Sequence, residues 1–198
     1  MVIGVTGGTG AGKTIFSNEL AKMGCYVIDA DRVGREIINK NKKVRDDLIK
    51  SFGPEIFDGN GNLRRRMLAN VVFSSKEKLR ILDSIFEKPL KERIIEMISN
   101  IKRLKKYNII LIDMATLFET GLSSLCNMIV LIDAPVNKRC KWLSESRGWT
   151  PEEAKMRIGS QMSIKLKRER ADVIIENSGT VKELRNKARK FYLKIKVV

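Results

Sequence analysis

The sequence predicts a three-layer α/β fold built on a five-stranded parallel β-sheet. Five short segments carry consecutive aliphatic residues, the pattern of strands that are buried on both faces of a sheet. Apolar residues at helical spacing separate these segments, so strands and helices alternate along the chain. The first strand leads into a glycine-rich turn and then a helix, an arrangement that suits anion binding.

The glycine-rich turn, Gly7–Thr14, has the sequence GGTGAGKT and fits the pattern G-x-x-x-x-G-K-[ST]. Residues 1–6 predict the strand before it, and residues 15–23 predict the helix after it. Glycine permits the close approaches by which several N–H groups converge on a phosphate. We therefore predict a P-loop NTPase fold in which Lys13 reaches the β- and γ-phosphates and Thr14 holds Mg²⁺. The predicted phosphate-binding residues are Gly8, Thr9, Gly10, Ala11, Gly12, Lys13 and Thr14.

Charge and composition restrict the chemistry of the chain. The formal net charge is +16 over 198 residues, which favours polyanionic ligands without selecting among nucleotides, coenzymes and nucleic acids. The chain has no histidine, which excludes Ser-His catalysis and His-ligated metals, so acid–base work falls to Asp, Glu or Lys. Its three cysteines lack metal-site spacing, which suggests a reducing compartment. Because no apolar run reaches membrane-spanning length, we expect a soluble, cytoplasmic protein.

The second predicted strand closes on two carboxylates, Asp29 and Asp31. Ligands of open α/β sheets bind at the carboxyl ends of the strands. If the chain is extended there, both carboxylates project to the same face. The alternative is that either residue caps the helix predicted over residues 32–39. For Asp29 both interpretations stay open, whereas for Asp31 we favour a functional role.

Residues 41–106 predict a helical, substrate-binding insertion between the second and third strands. Apolar residues recur there at helical spacing, interrupted at Gly53-Pro54, at residues 58–61 and at Lys88-Pro89. A long helix is expected from about Pro89 to Lys105. We predict a single domain, residues 1–198, whose core comprises residues 1–40 and 107–198.

Three further strands are predicted at residues 107–113, 127–135 and 172–177. The first of them ends at Asp113, a Walker-B pattern in which the carboxylate holds Mg²⁺; the alternative is that Asp113 caps a helix. Residues 138–171 are helical and rich in Arg and Lys. Most of these cations are expected on a solvated face, with one to three of them functional. Residues 145–170 are predicted to form a helical lid.

Several motifs, taken in order, resemble the dephospho-CoA kinase family along nearly the whole chain. They are Val5–Thr14, Val27–Asp31 with Arg35, Leu117–Leu122, Arg147, Gln161 and Asn177–Gly179. The resemblance implies ATP-dependent phosphorylation of the 3′-hydroxyl of dephospho-CoA, the last step of coenzyme A biosynthesis.

The resemblance also implies roles for individual residues. Asp31 matches the base that takes the ribose hydroxyl proton, and Arg147 matches a lid arginine near the transferring phosphoryl group. Asn177 and Gly179 would lie near the adenine of ATP. The substrate side would include Asp31, Arg35, Lys88 and Glu119, although family members usually carry histidine where this chain has Lys88.

Other functions are open at this stage. The alternative enzyme is a nucleoside or nucleoside monophosphate kinase. A GTPase switch would need an Asn-Lys-x-Asp motif, and Asn137-Lys138-Arg139-Cys140 lacks its aspartate. The net charge suggests nucleic-acid binding as a third function. However, the sequence has no basic stretch interleaved with aromatic residues that would support a specific nucleic-acid partner. We expect a monomer or a small homo-oligomer with no membrane partner.

Overall fold

One parallel β-sheet organises the structure. The computed structural model describes residues 1–196, and within them five strands lie in the order β2-β3-β1-β4-β5. The strands are β1 (Val2–Thr6), β2 (Tyr26–Asp29), β3 (Ile110–Asp113), β4 (Met128–Asp133) and β5 (Val173–Glu176). All neighbouring pairs are parallel, which confirms the predicted five-stranded sheet. Residues 197 and 198, the end of the predicted domain, lie outside the described residues.

Two helices cover one face of the sheet. They are α1 (Lys13–Lys22), which follows the glycine-rich turn, and α9 (Val181–Ile195), which ends the described chain. The rings of Phe16 and Phe191 join the two helices, with centroids 5.7 Å apart. The shared core includes buried side chains from three strands, namely Ile3, Val5, Leu111, Val130 and Ile132. Their alternation along each strand follows from the two-residue period of extended chain.

The other face of the sheet is covered just as closely. Gly4 in β1 lies under Leu117 and Cys126, and a Cβ added at Gly4 would stand 2.5 Å from Leu117 Cδ2 and 2.9 Å from Cys126 Sγ. Burial raises the pKa of the Cys126 thiol to about 12 and that of Cys25 to about 11. Both thiols are therefore protonated at neutral pH. Cover on both faces agrees with the predicted three-layer α/β arrangement.

The chain divides into two compact units, of which the sheet belongs to the first. That unit comprises Met1–Asp29 and Met97–Val198, and the second comprises Ala30–Glu96. The second unit is helical, and its buried side chains include Leu48, Phe52 and Ile56. Its elements are α2 (Ala30–Lys40), α3 (Lys42–Phe52), a 3₁₀ turn (Pro54–Ile56), α4 (Arg65–Phe73) and the first part of α5 (Lys76–Arg103). The predicted partition into core, insertion and lid stays a prediction.

Helix α5 runs through Pro89 without a break. The expected interruption at Lys88-Pro89 and the expected helix start near Pro89 are therefore wrong. Proline removes one helical hydrogen bond, at a cost of about 3 kcal/mol in a helix interior. The apolar face that continues beyond it offsets this cost, because Leu90, Ile94, Ile98 and Ile101 are all buried.

Three helices connect β4 to β5. They are α6 (Val136–Arg147), α7 (Pro151–Gly159) and α8 (Ile164–Arg170). Thr150 and Glu153 form a capping box at the start of α7, and the Ser163 hydroxyl caps α8. No helix within residues 1–196 is long and apolar enough to cross a membrane.

Candidate active site

The turn between β1 and α1 has the backbone conformation that a phosphate cradle needs. Gly12 stands at the N-terminus of α1 with φ 96°, a left-handed conformation that glycine adopts without strain. Gly7 lies so close to the Ile132 carbonyl that a Cβ would overlap it. Within the turn, the Ala11 N–H donates to the Gly8 carbonyl at 3.0 Å. The first turn of α1 presents the positive end of the helix dipole next to these residues.

Lys13 and Thr14 stand at the start of α1, as the sequence predicts. The Lys13 ammonium donates a hydrogen bond to the Gly7 carbonyl at 3.1 Å, so the side chain lies along the loop that it follows. Thr14 is exposed. An ammonium and a hydroxyl at these two positions supply the cation and the oxygen ligand that a phosphate chain with a divalent metal requires.

A cavity of about 660 Å³ opens beside the loop and unites residues from four parts of the chain. It brings together seven residues that the sequence assigned to nucleotide binding or catalysis, namely Gly10, Gly12, Lys13, Thr14, Arg147, Asn177 and Gly179. Its wall also includes Trp142 and Leu143 of α6 and Leu184 of α9. Sequence reasoning missed these three, because apolar residues at helical spacing resemble ordinary core positions. A polar end and an apolar wall match the two ends of a nucleotide.

Three side chains hold the loop from outside. The Asn177 amide donates to the Ala11 carbonyl at 2.9 Å, and the Arg139 Nε–H donates to the Thr9 carbonyl at 2.9 Å. The Thr9 N–H in turn donates to Gln161 Oε1 at 3.0 Å. Asn177 and Arg139 are both buried. Arg139 belongs to the cationic stretch that was expected to be mostly solvated, and in that stretch Arg139 and Lys167 are the two buried cations among the described residues.

Arg147 ends helix α6, and Gly148 caps the helix in a left-handed conformation. The Arg147 guanidinium stands 5.0 Å from the centroid of the Trp149 ring, and that of Arg157 stands 4.3 Å from it. Arg147 is exposed and also lines the cavity. The indole therefore lies within cation–π distance of two guanidinium groups, one of which belongs to a residue that lines the cavity.

Two carboxylates lie side by side at the carboxyl end of the sheet. Asp29 closes β2, Asp113 closes β3, and the two are partners in the register of those strands. Asp113 also pairs with Val5, one residue before Thr6 at the end of β1. Asp113 is half-buried and Asp29 is exposed. The expectation that strands would deliver both aspartates to this edge of the sheet is confirmed.

Asp31 is not part of the second strand. The strand ends at Asp29 and helix α2 begins at Ala30, so Asp31 lies in the first helical turn with an exposed side chain. The expectation of an extended chain with Asp29 and Asp31 on one face is wrong, because α2 begins at Ala30, two residues earlier than the predicted helix. A negative charge in the first turn interacts favourably with the helix dipole, so Asp31 also stabilises α2.

The Glu119 carboxylate forms a hydrogen bond and an ion pair within the unit that contains the sheet. Glu119 Oε1 accepts the Met162 N–H at 2.8 Å and stands 3.0 Å from the Lys167 ammonium. Lys167 is 1% exposed and also donates to the Ala115 carbonyl at 2.5 Å. Burial lowers the pKa of Lys167, while the charge of Glu119 opposes that shift. This ion pair joins the segment after β3 to α8, and the Met162 hydrogen bond joins the same segment to the connection between α7 and α8.

Arg35 and Lys88, both predicted on the substrate side, belong to the helical unit. Arg35 is half-buried on α2. Lys88 is exposed in the middle of α5, with its ammonium 3.9 Å from Glu92 Oε1 one turn later. An exposed pair at this spacing is weak and leaves Lys88 accessible to a ligand.

Comparison with known proteins gives a consistent result. A family model described as "Dephospho-CoA kinase" matches residues 1–183. The dephospho-CoA kinase of Fusobacterium nucleatum is 34% identical over 191 residues, which cover 96% of each chain. Among solved structures, TT1252 from Thermus thermophilus aligns with a TM-score of 0.79 and 28% identity, covering 98% of this chain and 97% of that one. The dephospho-CoA kinase from Campylobacter jejuni aligns at 0.70 with 23% identity, covering 98% and 96%, and so shares the fold.

Proposed function

Because the chain belongs to the dephospho-CoA kinase family, we propose that the residues described above carry out that family's reaction as follows. The reaction is transfer of the γ-phosphoryl group of ATP to the 3′-hydroxyl of dephospho-CoA, which yields coenzyme A in the last step of its biosynthesis. The single observation that carries the residue assignments is the cavity beside the glycine-rich loop, where Lys13, Arg147 and Asn177 meet.

ATP occupies this cavity with its phosphates on the loop and its nucleoside along the apolar wall. The backbone of residues 8–14 binds the phosphates through N–H groups, and Lys13 neutralises charge on the β- and γ-phosphates. Trp142 and Leu184 offer apolar surface to a purine ring, and Asn177 and Gly179 lie at that end. Arg147 faces the same cavity and stabilises the charge on the phosphoryl group during transfer.

The residues at the carboxyl end of the sheet fit a Mg²⁺ ion. Thr14 and Asp113 offer a hydroxyl and a carboxylate, and Mg²⁺ prefers such oxygen ligands together with water and substrate phosphates. In phosphoryl transfer the metal neutralises charge that develops on the phosphates. Thr14 would hold it directly, and Asp113 would hold it directly or through water.

Asp31 accepts the proton of the 3′-hydroxyl. A hydroxyl nucleophile needs a proton acceptor, and in a chain without histidine a carboxylate is the ordinary choice. The support for Asp31 is its place in the sequence, two residues after the end of β2, and the family motif that it matches. Arg35 and Lys88 are proposed to bind the acceptor's anionic groups. Glu119 remains a candidate on that side, although its carboxylate already bonds to Lys167 and Met162.

The setting of the enzyme is also a proposal. A net charge of +16 attracts the multiply anionic nucleotide and coenzyme without requiring a nucleic-acid partner. We place the protein in the cytoplasm as a monomer or small homo-oligomer without a membrane partner.

An acceptor comparison tests the function. Initial rates of ADP formation would be measured with ATP and dephospho-CoA, adenosine or AMP as acceptor, and the product from dephospho-CoA would be identified by its phosphorus spectrum. We expect turnover with dephospho-CoA and little with the other two. A clear preference for adenosine or AMP would instead identify a nucleoside or nucleoside monophosphate kinase.

A further inference from the structure

Thr9, in the middle of the glycine-rich loop, has both of its backbone polar groups bound by distant side chains. Its carbonyl accepts from Arg139 Nε at 2.9 Å, and its N–H donates to Gln161 Oε1 at 3.0 Å. Arg139 belongs to α6, and Gln161 belongs to the connection between α7 and α8. Two hydrogen bonds of opposite direction fix the orientation of the peptide groups on both sides of Thr9.

Arg139 is buried to an extent that is unusual for a charged side chain. It is 3% exposed, and its guanidinium lies against Gly8. A Cβ at Gly8 would overlap Cζ and both Nη atoms of that guanidinium, so this position requires glycine because of the close approach and not because of its φ. The side chain thus packs against the loop at Gly8 and hydrogen-bonds to it at Thr9.

Within residues 1–196, the charge of Arg139 is not neutralised by a direct ion pair. Among the residues that the structure describes, no carboxylate lies within ion-pair distance of Arg139. Burial lowers the pKa of Arg139, the charge of Asp133 opposes that shift only in part, and Asp133 is itself paired with Arg168. A guanidinium stays protonated in a protein. A buried charge without a counterion is costly, and an anion bound on the loop would reduce that cost.

Gln161 is held in place by its neighbours. The next residue, Met162, donates its N–H to Glu119, which pairs with the buried Lys167 at 3.0 Å. The α7–α8 connection is therefore attached to the segment after β3, and the Gln161 side chain extends from this anchored point to Thr9. Such an attachment lets an amide side chain position a loop.

We infer that Arg139 and Gln161 are positioning residues for the triphosphate: together they hold the backbone of Thr9 in the phosphate-binding form of the loop, and Arg139 adds a buried positive charge that the bound phosphates compensate. This inference rests on the proposed ATP site. It assigns a function to two residues that do not line the apolar wall of the cavity. The free energy of ATP binding becomes more favourable because the loop is already ordered before ATP arrives.

Binding measurements on matched variants test this inference. Arg139→Met removes the charge and the donor, Gln161→Met removes the acceptor, and Arg139→Lys keeps the charge. Lys141→Met is the control, because Lys141 lies on the same helix with its ammonium exposed and 3.9 Å from Glu145. The dissociation constant for ATP would be measured by calorimetry, and adenosine would be measured by competition as a probe without phosphates.

We expect each methionine variant to weaken ATP binding about tenfold, the order of effect of a lost hydrogen bond to a charged or preorganised group. Adenosine binding should not change, and Arg139→Lys should recover part of the ATP affinity. The double variant should lose less than the product of the two single losses, because both side chains act on the backbone of one residue. Lys141→Met should bind ATP like the wild type.

Unchanged ATP binding in Gln161→Met would overturn the inference, even if Arg139→Met failed to fold. An equal loss of ATP and adenosine affinity would also overturn it, because that result indicates a collapsed nucleoside pocket. Failure of the proposed function is a distinct outcome: in that case the wild-type protein itself would not bind ATP or phosphorylate dephospho-CoA.

Discussion

The side-chain amide of Asn177 donates a hydrogen bond to the carbonyl of Ala11 at 2.9 Å, which joins the end of the last strand to a loop 166 residues earlier. The Asn177 N–H also donates to the Asp133 carbonyl at 2.6 Å. The residue that sequence reasoning assigned to the adenine end of the site therefore also supports the phosphate loop. Nucleotide affinity and loop geometry depend here on one side chain.

Asn177→Leu should weaken ATP binding and lower stability together. Loss of a buried hydrogen bond costs about 1–3 kcal/mol, which corresponds to a decrease in Tm of a few degrees for a chain of this size. The matched control is Asn127→Leu, since Asn127 Oδ1 accepts the Val2 N–H at 2.7 Å, at the amino-terminal start of β1. We expect that control to lower Tm without changing ATP affinity, as measured by thermal unfolding and calorimetry. Equal ATP affinities in the two variants would remove Asn177 from the nucleotide site.

Lys13→Ala should abolish turnover, because charge on the β- and γ-phosphates then remains unneutralised during transfer. A decrease in kcat of at least about 100-fold is expected from the loss of one strong electrostatic contact in a preorganised site. Lys22→Ala is the control, because Lys22 ends the same helix and its ammonium is 3.6 Å from Glu19. Steady-state assays at saturating ATP would distinguish the two. Residual activity above one tenth of wild type would contradict the assignment of Lys13.

Arg147→Ala should lower kcat more than it weakens ATP binding. Arg147 lines the cavity with its guanidinium 5.0 Å from the centroid of the Trp149 ring, and the role proposed for it is to stabilise the charge on the transferring phosphoryl group. Arg170→Ala serves as the control, since Arg170 is exposed at the end of α8. The measurement is kcat alongside the dissociation constant for ATP. If Arg147→Ala changed only the affinity, Arg147 would be a nucleotide contact and not a catalytic cation.

Glu19 should make stability depend on pH in the acidic range. This glutamate of α1 accepts from Arg189 at 2.7 Å, and that hydrogen bond holds the pKa of its carboxyl below the ordinary value. A lowered native pKa stabilises the folded state above the unfolded-state pKa of about 4.3, and the stabilisation is lost as the pH falls through the native pKa. Urea unfolding of wild type and Glu19→Gln should therefore differ most near pH 7 and converge toward pH 3. A difference that stays constant with pH would contradict this role.

Sequence reasoning recovered the five strands and the glycine-rich loop, because aliphatic runs and the loop motif are local signals. It failed where a longer-range interaction decides the outcome. Pro89 does not end the helix, since the buried face that follows it keeps α5 intact. Arg139 could not be distinguished from its solvated neighbours, because its burial depends on contacts with Gly8 and Thr9, 130 residues earlier. The apolar wall at Trp142 and Leu184 was missed for the same reason.

The assignment of Asp31 as the base carries the proposed chemistry, and the Asp31→Asn variant tests it most directly. The asparagine preserves size but accepts no proton, so kcat with dephospho-CoA should fall at least about 100-fold, in line with the usual contribution of general-base catalysis. The dissociation constant for ATP, measured on the same preparation, should stay within about twofold of wild type, because the role proposed for Asp31 is to accept a proton and not to bind ATP. A near-normal kcat, or a loss explained entirely by weaker ATP binding, would contradict the assignment.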